Sequence, residues 1–394
     1  MSAGKEAFGK KTFGYFMPSV NLMGPGSVED NVADQVEQQG GNKVMIVTDP
    51  GLVELGIADE VKGYIEEAGI DVVIYDGVQP NPTVSNVEDG LDMLDEEDCD
   101  LIVSLGGGSS HDCAKGIAMV AGNGGKIEDY EGVNQSDEPI MPLISINTTA
   151  GTASEMTRFC IITDEERHVK MAIVDWRVTP NVAINDPLLM LEKPPALTAA
   201  TGMDALTHAV EAYMSTDATP VTDSAALKAI ELVGDNLRQA VANGDNFDAR
   251  DNMAYAEFLA GMAFNNASLG YVHAMAHQLG GFYDLPHGVC NAILLPHVVD
   301  YNMISDPGRV ADIGEALGVN TEGMNTRDAA DAAIEAIKKL STDIEIPGSL
   351  SELDDVDPDD FKELAENALK DASALTNPRK GGLDDVIGIF ESAY

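Results

Sequence analysis

Two side chains of the segment from Gly202 to Glu211 have the types and spacing of a metal site. Asp204 and His208 are four residues apart, so on a helix they lie one turn apart on the same face. A carboxylate and an imidazole placed in this way can ligate one divalent cation. The alternative is a solvated surface pair, because Glu211 continues the same polar face.

Three further histidines strengthen the metal interpretation. His273 and His277 share a helix face, and Gly280 follows at a point where it would break that helix. His287 begins a new segment that can return towards the first. A lone histidine is more often a core residue, but three of them together with Asp204 predict a divalent-cation site. The spacing leaves open which of these histidines bind the cation.

A run of three glycines follows the predicted buried strand Leu101–Leu105. The residues Gly106–Gly108 let the backbone approach an anion closely, and the next helix offers unpaired N–H groups and the positive end of its dipole. A diphosphate fits such a site. The alternative is a tight strand-to-helix turn, although three glycines are more than a turn needs. The run matches neither G-x-G-x-x-G nor a Walker A loop, so it assigns neither family.

A second loop and an early carboxylate are weaker signals for a nucleotide. The loop Asn147–Glu155 follows another strand, and its hydroxyl groups could bind phosphate or ribose oxygens, although hydroxyl residues are also common in turns and helix caps. Asp49 stands at the end of an early strand. There its carboxylate could accept a bond from a ribose 2'-hydroxyl and would repel a 2'-phosphate. A helix-cap role fits Asp49 equally well.

Alternating strands and helices in the first half must position these residues. The predicted strands are 43–49, 71–75, 101–105, 143–147, 159–163, 171–175 and 182–185. Alternation of this kind predicts a parallel sheet with helices on both faces. From residue 188 onward helical periodicity prevails. We therefore predict an α/β dinucleotide-binding domain over 1–187 and an all-α metal-binding domain over 188–394, with the active site in the cleft between them.

The charge of the chain restricts its partners and its surroundings. Sixty-seven acidic against 23 basic side chains give a formal net charge of -44, spread along all 394 residues. Such a surface repels phosphates and anionic lipids, so we expect neither nucleic acid nor membrane as a partner. Self-repulsion costs stability unless salt screens it. We therefore predict a high-salt cytoplasm and a melting temperature that rises with added KCl.

Cysteine usage and hydropathy predict a soluble cytoplasmic protein. The four cysteines lie far apart in a large chain, which favours free thiols in a reducing compartment. The first residues do not form a convincing signal peptide. No apolar run approaches the roughly 20 residues that a membrane span needs.

The sequence resembles the iron-containing (type III) alcohol dehydrogenases from about Phe13 to its C-terminus. The signature regions occur in the family's order: Gly106–Ser109, Thr148–Thr152, Gly202–His208 and His273–His287. Finer similarity points to the branch of NAD-dependent methanol dehydrogenases and 1,3-propanediol dehydrogenases. It lies in the segments Pro18–Gly24, Tyr130–Gly132 and Asn377–Lys380.

The resemblance implies a role for each site residue. The metal ligands would be Asp204, His208, His273 and His287, and His277 would be the catalytic residue beside the nicotinamide and the alcohol. The implied NAD contacts are Asp49, Asn81, Gly107, Gly108, Ser109, Asp112, Thr148, Thr152 and Lys170. The implied substrate pocket contains Phe159, Phe264 and Ser373. Ser373 replaces a cysteine of the lactaldehyde reductases, which argues against that substrate.

The implied function is a metal-dependent NAD(H) alcohol dehydrogenase or aldehyde reductase. It would transfer hydride between nicotinamide and a small primary alcohol or diol bound to a divalent cation. The family suggests Fe(II) and a homo-oligomer, while Zn, Mn, Co or Ni would also suit three imidazoles and a carboxylate. One alternative is an NAD- and metal-using lyase of the dehydroquinate synthase type, which would need several cations facing its anionic substrate. Another is a non-catalytic metal- or nucleotide-binding protein.

Overall fold

The computed structural model describes residues 12–167, 169–191, 193–353 and 355–394. Within these ranges the strands all come from the first half of the chain. They are β1 (Val20–Met23), β2 (Lys43–Val47), β3 (Asp71–Tyr75), β4 (Leu101–Gly106), β5 (Gly132–Val133), β6 (Leu143–Asn147), β7 (Phe159–Asp164), β8 (Val169–Val174) and β9 (Val182–Asn185). Six of them form a parallel sheet in the order β1-β9-β6-β4-β2-β3, which places β6 and β4 at its centre.

The remaining three strands form a separate small sheet in the order β5-β8-β7. Here the structure differs from the single parallel sheet that we predicted, because β7 and β8 pair antiparallel with each other. The connection from Asp164 to Val169 explains the difference. It is far shorter than the dozen or so residues that a parallel crossover requires, so the two strands form a hairpin.

Helices cover both faces of the main sheet, as predicted. They are α1 (Ser27–Gln39), α2 (Pro50–Glu54), α3 (Ile57–Glu66), α4 (Val84–Glu96) and α5 (Gly108–Asn123). Alternate residues of β2 enter two different cores. Val44 and Ile46 pack with α1 and α3, whereas Met45 and Val47 pack with α4 and α5. This arrangement confirms the α/β class of the first half.

Every described element after β9 is helical, which confirms the second half of the fold prediction. The α-helices are α6 (Pro195–Met214), α7 (Pro220–Ala242), α8 (Phe247–Ala267), α9 (Tyr271–Tyr283), α10 (His287–Met303), α11 (Pro307–Ala316), α12 (Thr326–Asp343), α13 (Phe361–Ala368) and α14 (Leu383–Ala393). They share one hydrophobic core. None of the described helices is both long and apolar enough to cross a membrane.

Helix α6 lies inside this helical half. Its residues from Gly202 to Met214 are all buried, including the polar side chains of Asp204, His208 and Glu211. A polar helix face that is removed from water needs partners for its charges. The solvated-surface interpretation of these residues is therefore wrong.

Candidate metal and cofactor site

The structure brings the four predicted metal ligands together. Among the described residues, donor atoms of Asp204, His208 and His273 all lie within 4.8 Å of one another. His287 is the first residue of α10, and its Nε2 atom lies 3.6 Å from Oδ1 of Asp204. The same distance separates His273 Nε2 from Asp204 Oδ1. Donor atoms from three helices thus lie close enough together to share one divalent cation, although ligation itself stays a prediction.

The protonation states of these groups suit a metal ion. Burial lowers the pKa of His208 to about 3 and that of His287 well below its usual value, so both imidazoles are neutral. Burial alone would raise the pKa of Asp204, but the nearby His208 and His287 hold it far below its usual range. Neutral imidazoles and an ionised carboxylate are the forms that ligate metals.

His273 is the exception among the three imidazoles. Its burial acts to lower the pKa, but hydrogen bonds to Asp204 and Glu211 outweigh this effect and raise the pKa to about 9. The two neighbouring carboxylates thus favour the positively charged form of this ring. A cation bound at Asp204 would take the place of that positive charge.

Asn291 is a polar residue of the site that the sequence analysis missed. Its Nδ2 atom lies 2.7 Å from Asp204 Oδ1, 3.0 Å from His287 Nε2 and 3.2 Å from His273 Nε2. Donor atoms from three helices thus converge on one amide nitrogen. Asn291 follows His287 by four residues on α10, so the helical spacing that linked Asp204 to His208 could have found it.

His277 lies beside the predicted ligands and faces the opening of the site. Its ring centroid is 5.4 Å from that of His287 and 6.0 Å from that of His273. The side chain of His277 is 23% exposed, against 2% for His273, so a substrate can reach it. Its Nδ1 atom lies 2.8 Å from Oδ2 of Asp371. Asp371 follows His277 by 94 residues, so no local sequence pattern links the two.

The three predicted substrate-pocket residues lie around the histidines. Phe264 stacks on His208 with ring centroids 4.2 Å apart, and Phe159 lies 6.0 Å from Phe264. Together they form an apolar wall. The backbone N–H of Ser373 donates to Asp371 Oδ1 at 2.8 Å, and the other carboxylate oxygen of Asp371 bonds His277, so the predicted role of Ser373 in the substrate pocket stays a prediction.

The glycine run forms an open helix N-terminus, as a phosphate site requires. Helix α5 begins directly after Gly107, and among the described residues no side chain caps it. A Cβ atom on Gly107 would lie 2.9 Å from Thr149 Oγ1, and one on Gly108 would lie 3.0 Å from Thr152 Cγ2. Only glycine therefore leaves the first N–H groups of α5, including that of Ser109, accessible between the two loops.

Asp112 on α5 connects this helix to the second loop and to β7. Its carboxylate accepts hydrogen bonds from Ser154 Oγ at 2.6 Å and from the backbone N–H of Ile161 at 3.1 Å. One turn later on α5, the fully buried Lys115 donates to Ser154 Oγ and to the carbonyl of Phe159. The sequence analysis missed Lys115. Both oxygens of Asp112 are occupied within the protein, so its predicted contact with the cofactor stays a prediction.

Three other predicted cofactor residues, Asp49, Asn81 and Lys170, have hydrogen-bond partners within the protein. Asp49 Oδ1 caps α2 by accepting from Leu52 N at 3.2 Å, as the helix-cap alternative predicted, and Oδ2 makes no part of this bond. Asn81 accepts a bond from Lys170 Nζ at 2.8 Å and donates to Asp284 Oδ1 at 3.0 Å. Since Asp284 directly follows α9, Asn81 and Lys170 connect the α/β half of the chain to the helical half. Burial lowers the pKa of Lys170.

The second loop lies directly against the helix that carries Asp204. A Cβ atom on Gly151 would lie 2.8 Å from Cβ of Thr201 in α6. Next to this contact is a cleft lined by Thr148, Thr149, Lys193, Thr198 and Arg250, among other residues. No sequence pattern singled out the basic side chains of Lys193 and Arg250, which lie beside the predicted phosphate-binding loops. The two parts of the site are therefore adjacent.

Two family patterns cover nearly the whole chain. The pattern described as "Iron-containing alcohol dehydrogenase" matches residues 18–187, and "Fe-containing alcohol dehydrogenase family, C-terminal" matches residues 198–394. The chain belongs to the iron-containing alcohol dehydrogenase family. It is an oxidoreductase of that family, as the resemblance implied.

Individual relatives place the chain within the family more narrowly. It is 55% identical to the 1,3-propanediol dehydrogenase of Citrobacter freundii over 386 residues, which cover 98% of this chain and 99% of that protein. It is 46% identical to the NAD-dependent methanol dehydrogenase of Bacillus methanolicus over 379 residues, covering 96% and 99%. A crystal structure of 1,3-propanediol oxidoreductase, 55% identical, superimposes with a TM-score of 0.96 and covers 98% of this chain and 100% of that one. Both kinds of enzyme in the branch named by the resemblance are thus among its relatives.

Proposed function

We propose that this protein oxidises small primary alcohols or diols with NAD, and reduces the corresponding aldehydes, at a divalent cation. The observation that carries the proposal is the cluster of Asp204, His208 and His273 donor atoms within 4.8 Å, beside the partly exposed His277. The names of the relatives support NAD as the cofactor and 1,3-propanediol or methanol as the first substrates to test.

Asp204 and the three imidazoles of His208, His273 and His287 would hold the cation. When bound, it supplies Lewis acidity, which favours loss of the alcohol proton and polarises an aldehyde carbonyl. Fe(II) is the family's ion, and the donor set would accept Zn or Mn as well. Phe159 and Phe264 form the apolar side of the pocket. Their place beside His208 would exclude water and leave room for a short carbon chain.

His277 would carry the alcohol proton between the pocket and solvent. The pKa of Asp371 is low because, although burial acts to raise it, His277 and the bond to it outweigh burial, so this carboxylate is ionised. It accepts a hydrogen bond from Nδ1 of His277, which leaves Nε2 of the ring free to take up a proton. Partial exposure of the ring then allows the proton to leave.

The sheet side of the cleft would bind NAD. The N–H groups of Gly107, Gly108 and Ser109 at the start of α5 suit the diphosphate, and Thr148 and Thr152 supply hydroxyl groups beside it. The second oxygen of Asp49 remains for a ribose hydroxyl and would repel a 2'-phosphate. The proposed contacts of the nicotinamide half are Asn81, Asp112 and Lys170.

We also propose the organisation of the whole protein. A boundary near residue 187 is supported by the end of β9 at Asn185 and the start of α6 at Pro195. A cytoplasmic setting is supported by four cysteines that are all buried free thiols. A halophilic homo-oligomer follows from the acidic charge and the family, and it is tested by light scattering and by melting curves at increasing KCl concentration. A melting temperature independent of KCl would contradict the halophilic part.

The decisive experiment follows NADH absorbance at 340 nm with 1,3-propanediol, methanol, ethanol and butanol. We expect activity with at least one alcohol, loss after exhaustive chelation, and recovery on addition of Fe(II), Zn²⁺ or Mn²⁺ separately. Metal analysis of the purified protein identifies the ion that it carries. An enzyme that keeps full activity after verified metal removal, or that shows no NADH signal with any alcohol or aldehyde, would refute the proposal.

A further inference from the structure

We propose that Glu211 is a positioning residue of the metal site, which fixes the orientation and the tautomer of His273 and thereby sets the affinity for the cation. The inference rests on the proposed function in one respect, namely that the site binds a divalent cation. It concerns a side chain that lies outside the predicted ligand set and that only the alternative, a solvated helix face, took into account.

The geometry of Glu211 is that of a buried acceptor. Its residue is 5% exposed, and it lies on α6, three residues after His208. Its Oε2 atom lies 2.6 Å from Nδ1 of His273, and its Oε1 atom accepts from the backbone N–H of Val272 at 2.6 Å. Both oxygens therefore contact the first turn of α9.

Glu211 also takes the place of a helix cap. Helix α9 begins after Gly270, and among the described residues that position provides no side-chain cap. A Cβ atom on Gly270 would lie 2.8 Å from Glu211 Oε1, so the glycine leaves room for the carboxylate. A carboxylate at a helix N-terminus satisfies unpaired N–H groups and the positive end of the dipole. Glu211 thus fixes the start of α9 relative to α6, which carries Asp204 and His208.

The same contacts decide which nitrogen of His273 carries hydrogen. A carboxylate that accepts backbone N–H groups can only accept from the imidazole as well, so Nδ1 of His273 must donate. Its Nε2 atom, 3.6 Å from Asp204 Oδ1, is then the nitrogen with a lone pair for the cation. A carboxylate behind a ligating histidine holds the ring in place and makes it a stronger donor.

Replacement of Glu211 by glutamine keeps the size of the side chain and removes this property. If the amide oxygen accepts from Val272 N–H, the amide NH₂ faces His273 Nδ1 and favours the tautomer with hydrogen on Nε2. In that tautomer Nε2 has no lone pair for the cation. If the oxygen faces His273 instead, the NH₂ group meets the N–H of Val272, and two donors oppose each other at the start of α9. Either arrangement weakens the site.

The test compares two glutamate-to-glutamine variants of the full-length protein. Glu257 on α8 is the matched control, because it is fully buried but accepts from Asn147 Nδ2 and contacts none of the predicted ligands. Metal-free protein is titrated with Zn²⁺ alone against a chromophoric chelator. We expect Glu211→Gln to weaken zinc binding by about 10- to 100-fold. We expect Glu257→Gln to retain the affinity of the parent.

A second measurement on the parent protein does not depend on any variant folding. Spectra of zinc-loaded protein with ¹⁵N-labelled histidine should show His273 bound through Nε2, with a hydrogen-bonded proton on Nδ1. Zinc binding through Nδ1 of His273, or equal affinities for the parent and Glu211→Gln, would overturn the inference. A parent protein that binds no zinc would instead remove the proposed function on which the inference rests, so the two failures are distinguishable.

Discussion

The two parts of the candidate site, on the sheet and among the helices, offer opposite chemistry. On the sheet side, Gly107 and Gly108 contribute by lacking side chains, and the groups offered are backbone N–H donors. On the helical side, Asp204 and the histidines contribute side-chain donor atoms from three helices. The sheet side is therefore sensitive to any added atom, whereas the helical side is sensitive to the loss of particular atoms. Substitutions should separate cofactor binding from metal binding.

The largest effect is expected for Asp204→Asn. The change removes the carboxylate of the predicted ligand set, while three imidazoles remain to hold a doubly charged ion. Loss of the cation removes about 4 kcal/mol of transition-state stabilisation, so kcat/KM should fall by about 10³-fold. Metal analysis of the purified variant should show no bound divalent metal, and NADH fluorescence titration should show unchanged cofactor affinity. Full metal content in Asp204→Asn would contradict the ligand assignment.

His277→Ala should lower turnover by about 10²-fold, as expected for the loss of a proton-transfer group. Metal content and NADH affinity should both remain, because the ring lies beside the ligands without being one of them. His297→Ala is the control, since His297 hydrogen-bonds Ser392 at the protein surface. If His277→Ala loses the metal, the residue is a ligand and the proposed proton role is wrong.

Gly108→Val should weaken NADH binding by about 30-fold, which corresponds to about 2 kcal/mol for lost charge-assisted bonds to the diphosphate. The added side chain collides with Thr152 and covers the first N–H groups of α5. Metal content should not change. Gly388→Ala in α14 is the matched control, because nothing lies within 4 Å of the added atom. Unchanged NADH affinity in Gly108→Val would place the diphosphate elsewhere.

The smallest effect is expected on stability. It concerns two buried carboxyl groups, those of Glu155 and of Glu257 on α8. Burial raises the pKa of Glu155 and of Glu257, and for Glu257 the neighbouring Glu155 adds to the effect. At pH values above the usual pKa of a glutamate, the folded protein therefore binds more protons than the unfolded chain. Its stability then falls as the pH rises through the raised pKa, by up to about 1.4 kcal/mol per pH unit.

Glu257→Gln removes that ionisation and keeps a donor for Glu155. Urea unfolding from mildly acidic to alkaline pH should therefore show the parent losing stability relative to the variant. Parallel pH profiles for the two proteins would argue against a raised pKa of Glu257. Cofactor and metal affinities provide the check that neither side of the cleft has moved.

The sequence best predicted those features that lie within a single helix or at its end. The four-residue spacing placed Asp204 and His208 on one face of α6, and the glycine run placed an open helix N-terminus after β4. Spacing could not separate His273 from His277, which are distinguished by Glu211 and Asp371 behind them. The β7–β8 hairpin and the inward direction of Glu211 were missed because they depend on contacts between elements, which periodicity along one element does not record.

The bond between His277 and Asp371 has a consequence for biosynthesis. The carboxylate is made 94 residues after the histidine, and the backbone N–H of Ser373, two residues later, donates to it. A nascent chain that has already completed the sheet, the glycine run and all the predicted ligands still lacks Asp371, the hydrogen-bond partner of His277. If His277 carries the alcohol proton as proposed, the predicted cofactor and metal sites can form during translation, but turnover requires almost the whole chain to have left the ribosome.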